Sequence, residues 1–219
     1  MTDDLPRSPE RVRETYDLIA EHFAETRHAP WPEVERFLET VEGGDLGLDV
    51  GCGNGRHVPG LAERVDRVLA LDSSRGLLAE ARARLADEGH SYALLQGDAA
   101  ALPIGDSRID MAVSVATLHH LRDRRTRIEG LRELGRVLSP TGLALVSAWS
   151  TAHDRFEASP DADVGFDTTV DWTLPGGETL PRYYHIYAPA EFRADLERAG
   201  LTVEEAYVSS GNCYAEVRP

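Results

Sequence analysis

The sequence predicts an α/β domain built as a doubly wound, mostly parallel sheet with a C-terminal antiparallel hairpin. Two observations carry this. From Leu46 onward, strand-like apolar runs alternate with helical stretches, the pattern of a parallel sheet covered by helices on both faces. Gly51, Cys52, Gly53, Asn54 and Gly55 then stand between the first strand and the next helix, where glycines allow a sharp turn and close backbone approach. A length of 219 residues fits one domain with one substantial core.

The elements follow in order. Ser8-Pro9 reads as an N-cap with proline in the first turn, and Val12, Tyr16, Ile19 and Phe23 recur at helical spacing. A second helix starts near Pro32 and is expected to stop at Gly43-Gly44. Residues 1–44 thus form N-terminal helices, expected to act as a lid. Residues 45–149 form the core, with strands at Leu46–Val50, Val68–Leu71, Tyr92–Leu95, Ile109–Val115 and Leu143–Trp149. The intervening helices are expected at Val58–Val65, Leu77–Ala86 and Arg124–Leu138. Residues 150–181 are acidic, rich in Asp, Thr and Gly, and read as a loop-like insertion. Residues 182–219 supply a helix near Pro189–Ala199 and strands Leu201–Val208 and Tyr214–Val217.

Composition excludes several classes. No apolar run reaches the roughly 18 residues of a membrane span. The start, Met1-Thr2-Asp3-Asp4, is acidic where a secretory signal is basic and then apolar, so a cytoplasmic protein with no membrane partner is expected. Cys52 and Cys213 match neither a disulfide framework nor a zinc site, and the eight histidines are scattered apart from His119-His120; no metal site is predicted. The formal net charge is −15, and all 23 basic residues are arginine. An acidic, lysine-free surface suits a very salty, halophilic cytoplasm, where screening reduces self-repulsion. Any RNA-binding surface must then be local and arginine-rich.

The glycine loop carries the clearest chemistry. Asp72 ends the second strand 21 residues after Gly51, where a carboxylate can accept from both ribose hydroxyls. The spacing lacks the third glycine that seats a pyrophosphate on a helix N-terminus. Asp49, just before the loop, repels a diphosphate but suits the cationic end of an amino acid. The run Asp49-Val50-Gly51-Cys52-Gly53-Asn54-Gly55 resembles the first motif of class I methyltransferases, whose fold is Rossmann-like. The resemblance implies S-adenosylmethionine as cofactor, with Asp49, Gly51, Gly53 and Gly55 around the methionine moiety and Asp72 and Ser73 at the ribose. It also places Asp98 and Ala99 near the adenine, Ser114 on the strand facing the transferable methyl, and Tyr16 over the cofactor. Asp98 has an alternative reading as the cap of a short helix beginning near Ala99. Ser139-Pro140-Thr141-Gly142 stands where the family has a Pro-Gly turn before the fifth strand. Ala116 to Leu121 is not the N/D-P-P-Y/F signature of amine methylation, and His119 and His120 read equally as substrate contacts or packed loop histidines.

Flanking segments narrow the resemblance. Thr26-Arg27-His28-Ala29-Pro30-Trp31-Pro32, Arg182-Tyr183-Tyr184-His185 and Gly211-Asn212-Cys213-Tyr214 together resemble the tRNA wobble-uridine carboxymethyl methyltransferases. Cys213, where that family has tryptophan, is a departure. The resemblance implies that the carboxylate of 5-carboxymethyluridine is esterified, with the tRNA anticodon loop as partner. Arg27 and Arg182 are then the candidates for binding the incoming carboxylate, His185 and Asn212 orient it, and Trp31 or Tyr184 stacks on the base. Each arginine reads alternatively as a surface ion pair, and Trp31 as packing between the N-terminal helices. The resemblance further implies a small zinc-binding activator subunit forming a heterodimer, expected at the apolar edge strand formed by residues 91–96. The competing functions are a small-molecule methyltransferase and a non-catalytic methyltransferase-like scaffold.

Overall fold

The computed structural model describes residues 5–156 and 162–219; the acidic start, residues 1–4, and part of the insertion lie outside the described residues. Helix α1 spans Pro9–Thr26, and the Ser8 hydroxyl accepts from the Arg11 amide as its N-cap. Helix α2 spans Pro32–Thr40 and buries Val34, Phe37 and Leu38 on one face. It ends before Gly43 because Gly44 already pairs with Val65 as the first residue of β1 (Gly44–Val50).

The core follows as α3 (Val58–Ala62), β2 (Val65–Asp72), α4 (Arg75–Leu85), β3 (Tyr92–Gln96), β4 (Ile109–Val115), α5 (Arg124–Val137) and β5 (Leu138–Trp149). Helix α3 is shorter than its sequence suggests, since the chain turns at Glu63 and Val65 joins the sheet. The expected Pro-Gly turn at 139–142 lies inside β5, absorbed where the register slips between Ile109↔Leu138 and Met111↔Leu143. Helix α6 (Pro189–Arg198) leads to β8 (Thr202–Ser209) and β9 (Asn212–Arg218).

Seven strands form the main sheet in the order β3-β2-β1-β4-β5-β9-β8. The first five are parallel and the last two antiparallel. Apolar clusters cover both faces. One centres on Leu48, Ala112, Leu134, Val146 and Phe192, the other on Phe37, Leu61, Val68, Met111 and Leu145. Because β2 and β3 lie on one side of β1 and β4 and β5 on the other, the connections diverge at β1/β4. A crevice opens there beyond the carboxyl ends of the strands.

The insertion departs from its expected loop character. Phe166–Thr173 is strand β6, paired antiparallel with β7 (Thr179–Ile186) as a separate two-stranded sheet. Phe166, Thr168, Val170 and Trp172 alternate with Asp167, Thr169, Asp171 and Thr173, a period of two hidden by the acidic composition. Val170, Tyr184 and Ile186 pack against Trp149 and Phe156, so the hairpin roofs the crevice with α1. Trp172 donates from its indole N–H to His22 Nδ1 at 3.1 Å, joining the two halves of the roof.

Candidate active site

The glycine loop is built by the tip of β2. The amides of Gly51 and Cys52 both donate to the Leu71 carbonyl, at 2.7 and 2.9 Å. Gly51 has φ +72°, and a Cβ there would sit 2.0 Å from Thr117 Oγ1; only glycine fits. Asp72 caps the turn, with Oδ2 accepting from the Gly53 amide at 2.8 Å and Oδ1 from the Ser74 amide at 2.9 Å. Burial pushes its carboxyl up, against these amide hydrogen bonds. Asp49 is fully buried, and neither carboxylate oxygen has a hydrogen-bond partner. Burial raises its pKa to about 7, although Arg56 opposes. No cation forms a salt bridge with it among the described residues, Arg56 acting only at longer range.

Beside this loop lies a cavity of about 720 Å³, a size that suits a nucleoside cofactor together with part of a substrate. Its floor holds Gly51, Gly53, Asp72, Ser73, Asp98 and Ala99, and its far wall Val115, Ala116, Thr117 and His120 at the tip of β4. The roof is aromatic and cationic. The guanidinium of Arg182 lies 4.9 Å from the Trp172 ring centroid and 5.2 Å from that of Tyr184, while Arg27 lies 5.3 Å from Trp172. Arg13, Arg27, Arg56, Arg122, Arg155 and Arg182 line the cavity against Glu10, Asp72, Asp98 and Asp171. Among these arginines only Arg122 makes a salt bridge between described residues, with Asp123. The other five guanidiniums stand at the cavity without a salt bridge among the described residues.

Residues 48–142 match the family described as a methyltransferase domain. A methyltransferase-like protein of Encephalitozoon cuniculi, ECU09_1500, is 34% identical over 84% of each chain. The chain belongs to the methyltransferase family. The tRNA (carboxymethyluridine(34)-5-O)-methyltransferase of Schizosaccharomyces pombe is 29% identical over 90% of each chain. The enzyme of that name from Saccharomyces cerevisiae is 34% identical over 80% of this chain, which spans only 61% of the yeast protein. Among solved structures, a chain in the complex between the Haloferax volcanii Trm112 methyltransferase activator and a methyltransferase superposes with a TM-score of 0.66. It is 20% identical and covers 94% of this chain and 96% of that one, a likeness of fold.

The cofactor of this family is S-adenosylmethionine, and the residues present fit it. Asp72 and Ser73, at the tip of β2, present acceptors of the kind a ribose needs, and Gly97, Asp98 and Ala99 line the cavity beside them where an adenine would lie.

The structure sorts the site residues expected in this methyltransferase chain. Tyr16, Arg27, Gly51, Gly53, Asp72, Ser73, Asp98, Ala99 and Arg182 all line the cavity, with Trp31 and Tyr184. Six others do not. Asp49 is buried behind the loop and does not reach the cavity wall. Gly55 faces α4, where a Cβ would meet Leu85 at 3.1 Å; it serves packing. Ser114 points into a small apolar pocket with Leu118, Leu131 and Leu134 on the opposite face of β4. His119 is fully buried and accepts from the Trp149 amide at 3.1 Å, so the loop histidine at the cavity is His120. His185 lies between Asp167 (2.7 Å) and Glu191 (3.2 Å), a structural link between β6 and α6. Asn212 pairs with Trp149 in the sheet and donates to the Ser210 carbonyl. Asp98 accepts from the Ala100 amide at 2.9 Å and caps a turn, with no helix following.

Sequence reading passed over Trp172, Asn54, Arg56 and Thr117. Trp172 was legible through the alternation of β6. Asn54 and Thr117 gave no signal, because their roles depend on which segments fold against the loop.

Proposed function

We propose that this chain methylates the carboxylate of 5-carboxymethyluridine at the wobble position of tRNA, forming a methyl ester. When bound, S-adenosylmethionine supplies an electrophilic methyl on a sulfonium. A carboxylate, with a pKa of about 4, is ionised at neutral pH and needs no general base. The carboxylate oxygen gains the bond to carbon, the carbon–sulfur bond breaks, and no proton moves. What remains for the chain is to hold the acid in line and partly neutralise it. Arg182 suits this, since a guanidinium stays charged and grips carboxylate through two donors. Arg27, on the same tryptophan, is the second cation, and Tyr184 and Trp31 offer faces for the base.

The observation that carries this reading is Arg182 itself. It is nearly buried, and among the described residues its Nε has no acceptor and its side chain donates to one partner, the neutral hydroxyl of Tyr16. Asp171 acts on it only at longer range; a buried cation with no carboxylate in direct contact is costly, and here the cost is offset when an anionic substrate enters. The names of the yeast relatives support the identity of that anion.

The partner belongs to the same reading. Strand β3 is an edge of the main sheet, and Tyr92, Ala93, Leu94 and Leu95 are only half buried. A small zinc-binding activator adding a strand there gives a heterodimer and covers them. No helix among the described residues is long and apolar enough to cross a membrane; the assembly is proposed to work in a salty cytoplasm, where the −15 charge is screened. The test is transfer of labelled methyl from S-adenosylmethionine to tRNA carrying carboxymethyluridine, with and without the activator. Label in a base-labile ester on RNA supports the reading, and label only in small molecules overturns it.

A further inference from the structure

Arg182, Tyr16 and His120 come from β7, α1 and the turn after β4, and they meet in one hydrogen-bonded chain. His120 Nδ1 lies 2.9 Å from the carbonyl oxygen of Tyr183. A carbonyl only accepts, so Nδ1 carries the ring proton. Burial keeps the ring neutral, pushing its pKa down to about 3. Nε2 is therefore a bare lone pair, 2.9 Å from the Tyr16 hydroxyl, and the hydroxyl must donate to it. With its only proton committed, the Tyr16 oxygen faces Arg182 Nη1 as an acceptor, at 3.4 Å, the long end of the range.

Every donor in this chain has one direction. Arg182 gives to Tyr16, Tyr16 to His120, and His120 to the backbone of the residue after Arg182. Were the Tyr16 proton turned the other way, the positive end of its dipole would face a guanidinium. We propose that His120 is a positioning residue: by holding the Tyr16 proton, it keeps a lone pair of the Tyr16 oxygen turned toward Arg182 and fixes that guanidinium above Trp172 for an anionic substrate. This rests on Arg182 as the carboxylate-binding group. The ring pairs around it hold the geometry, with Tyr16 and His120 5.1 Å apart at 72° and His120 and Tyr184 4.5 Å apart at 69°.

The experiment is a double-mutant cycle read on KM and kcat for tRNA carrying carboxymethyluridine. His120→Leu and Tyr16→Phe should each raise KM for tRNA about tenfold, with a smaller change in kcat, and the double variant should be no worse than the worse single. His120→Gln, which can return an acceptor oxygen near the place of Nε2, should recover most of the loss. Additive losses, or no recovery by glutamine, overturn the proposal. A second readout needs no substrate. Nitrogen-15 NMR of the wild-type chain should show His120 as the neutral Nδ1–H tautomer, with an Nε2 resonance that shifts in Tyr16→Phe. An Nε2–H tautomer overturns the proposal even if tRNA is methylated. If wild type leaves tRNA unmethylated, the functional reading falls, and the tautomer then decides this one by itself.

Discussion

Asn54, in the glycine loop, donates from Nδ2 to the backbone carbonyl of Arg27 at 2.8 Å. The loop that faces the cofactor thus holds the end of α1, where a candidate substrate-binding arginine begins. Asp17 makes a second tie, its Oδ1 accepting from the Ser74 hydroxyl and the Gly76 amide at 2.6 and 2.9 Å. The N-terminal helix is attached to the cofactor side at both ends of its buried face.

Asn54→Ala should remove the first tie. The loss of one buried hydrogen bond costs about 1 kcal/mol, a melting-temperature drop of about 3 °C in a chain of this size. KM for RNA should rise more than KM for the cofactor, because Arg27 is released while Asp72 is untouched. Steady-state kinetics and thermal unfolding check both parts.

Asp72→Ala should weaken S-adenosylmethionine binding by about 2 kcal/mol or more, through lost charge-assisted hydrogen bonds and the freed Gly53 and Ser74 amides. Unchanged affinity by calorimetry would remove Asp72 from the site.

Asp49 sets a pH dependence. In the unfolded chain its carboxyl ionises near 3.8, whereas burial, opposed by Arg56, holds the proton in the folded chain to about 7. Below that window the group is protonated in both states. Through it the unfolded chain ionises first, so this group lowers the stability of the ligand-free protein as pH rises, until the change levels off above 7. Cofactor affinity should rise over the same interval as the carboxylate appears for the ammonium. Asp49→Asn should flatten both curves, measured by denaturant unfolding and calorimetry across the window.

Arg182→Ala should lower kcat/KM for tRNA by about 2 kcal/mol or more while cofactor affinity holds. Equal loss of both would point to misfolding of the roof instead.

His185→Ala separates scaffolding from chemistry. Burial tends to raise the Glu191 carboxyl, but hydrogen bonds from His185 and the Gly165 amide hold it below its ordinary value. Removing the histidine leaves a buried carboxylate short of a partner and should cost about 3 kcal/mol of stability. Protein that remains folded should still transfer methyl, because His185 does not reach the cavity.

The sheet and cofactor side were legible because their signals are local. Glycines at 51 and 53, an acid at 72 and alternating apolar runs each announce a conformation from a few neighbouring residues. Gly55 shows the limit of that logic, since the same residue type two positions on, also at positive φ, lies against Ala81 and Leu85 rather than the cavity. His119 and His185 carry site-like chemistry in the sequence, yet tertiary contacts direct both into the interior. Which member of the His119-His120 pair reaches the cavity depends on the one-turn helix Leu118–His120, too short to show a period. The β6–β7 hairpin was obscured by its acids, Asp167 beside the buried His185 and Asp171 at the cavity, although Trp172 and Val170 mark its apolar face.

Among the described residues that hairpin keeps its own ladder and meets the hydrogen bonding of the larger sheet's strands only near one bridge, Ser150↔Tyr187. The far end of its ladder, near Thr173 and Thr179, can therefore change in length without shifting a register in the seven strands beneath. A lineage could retarget such an enzyme by swapping this one cassette, keeping the methyl-donor half intact, as a handle keeps while its blades are changed.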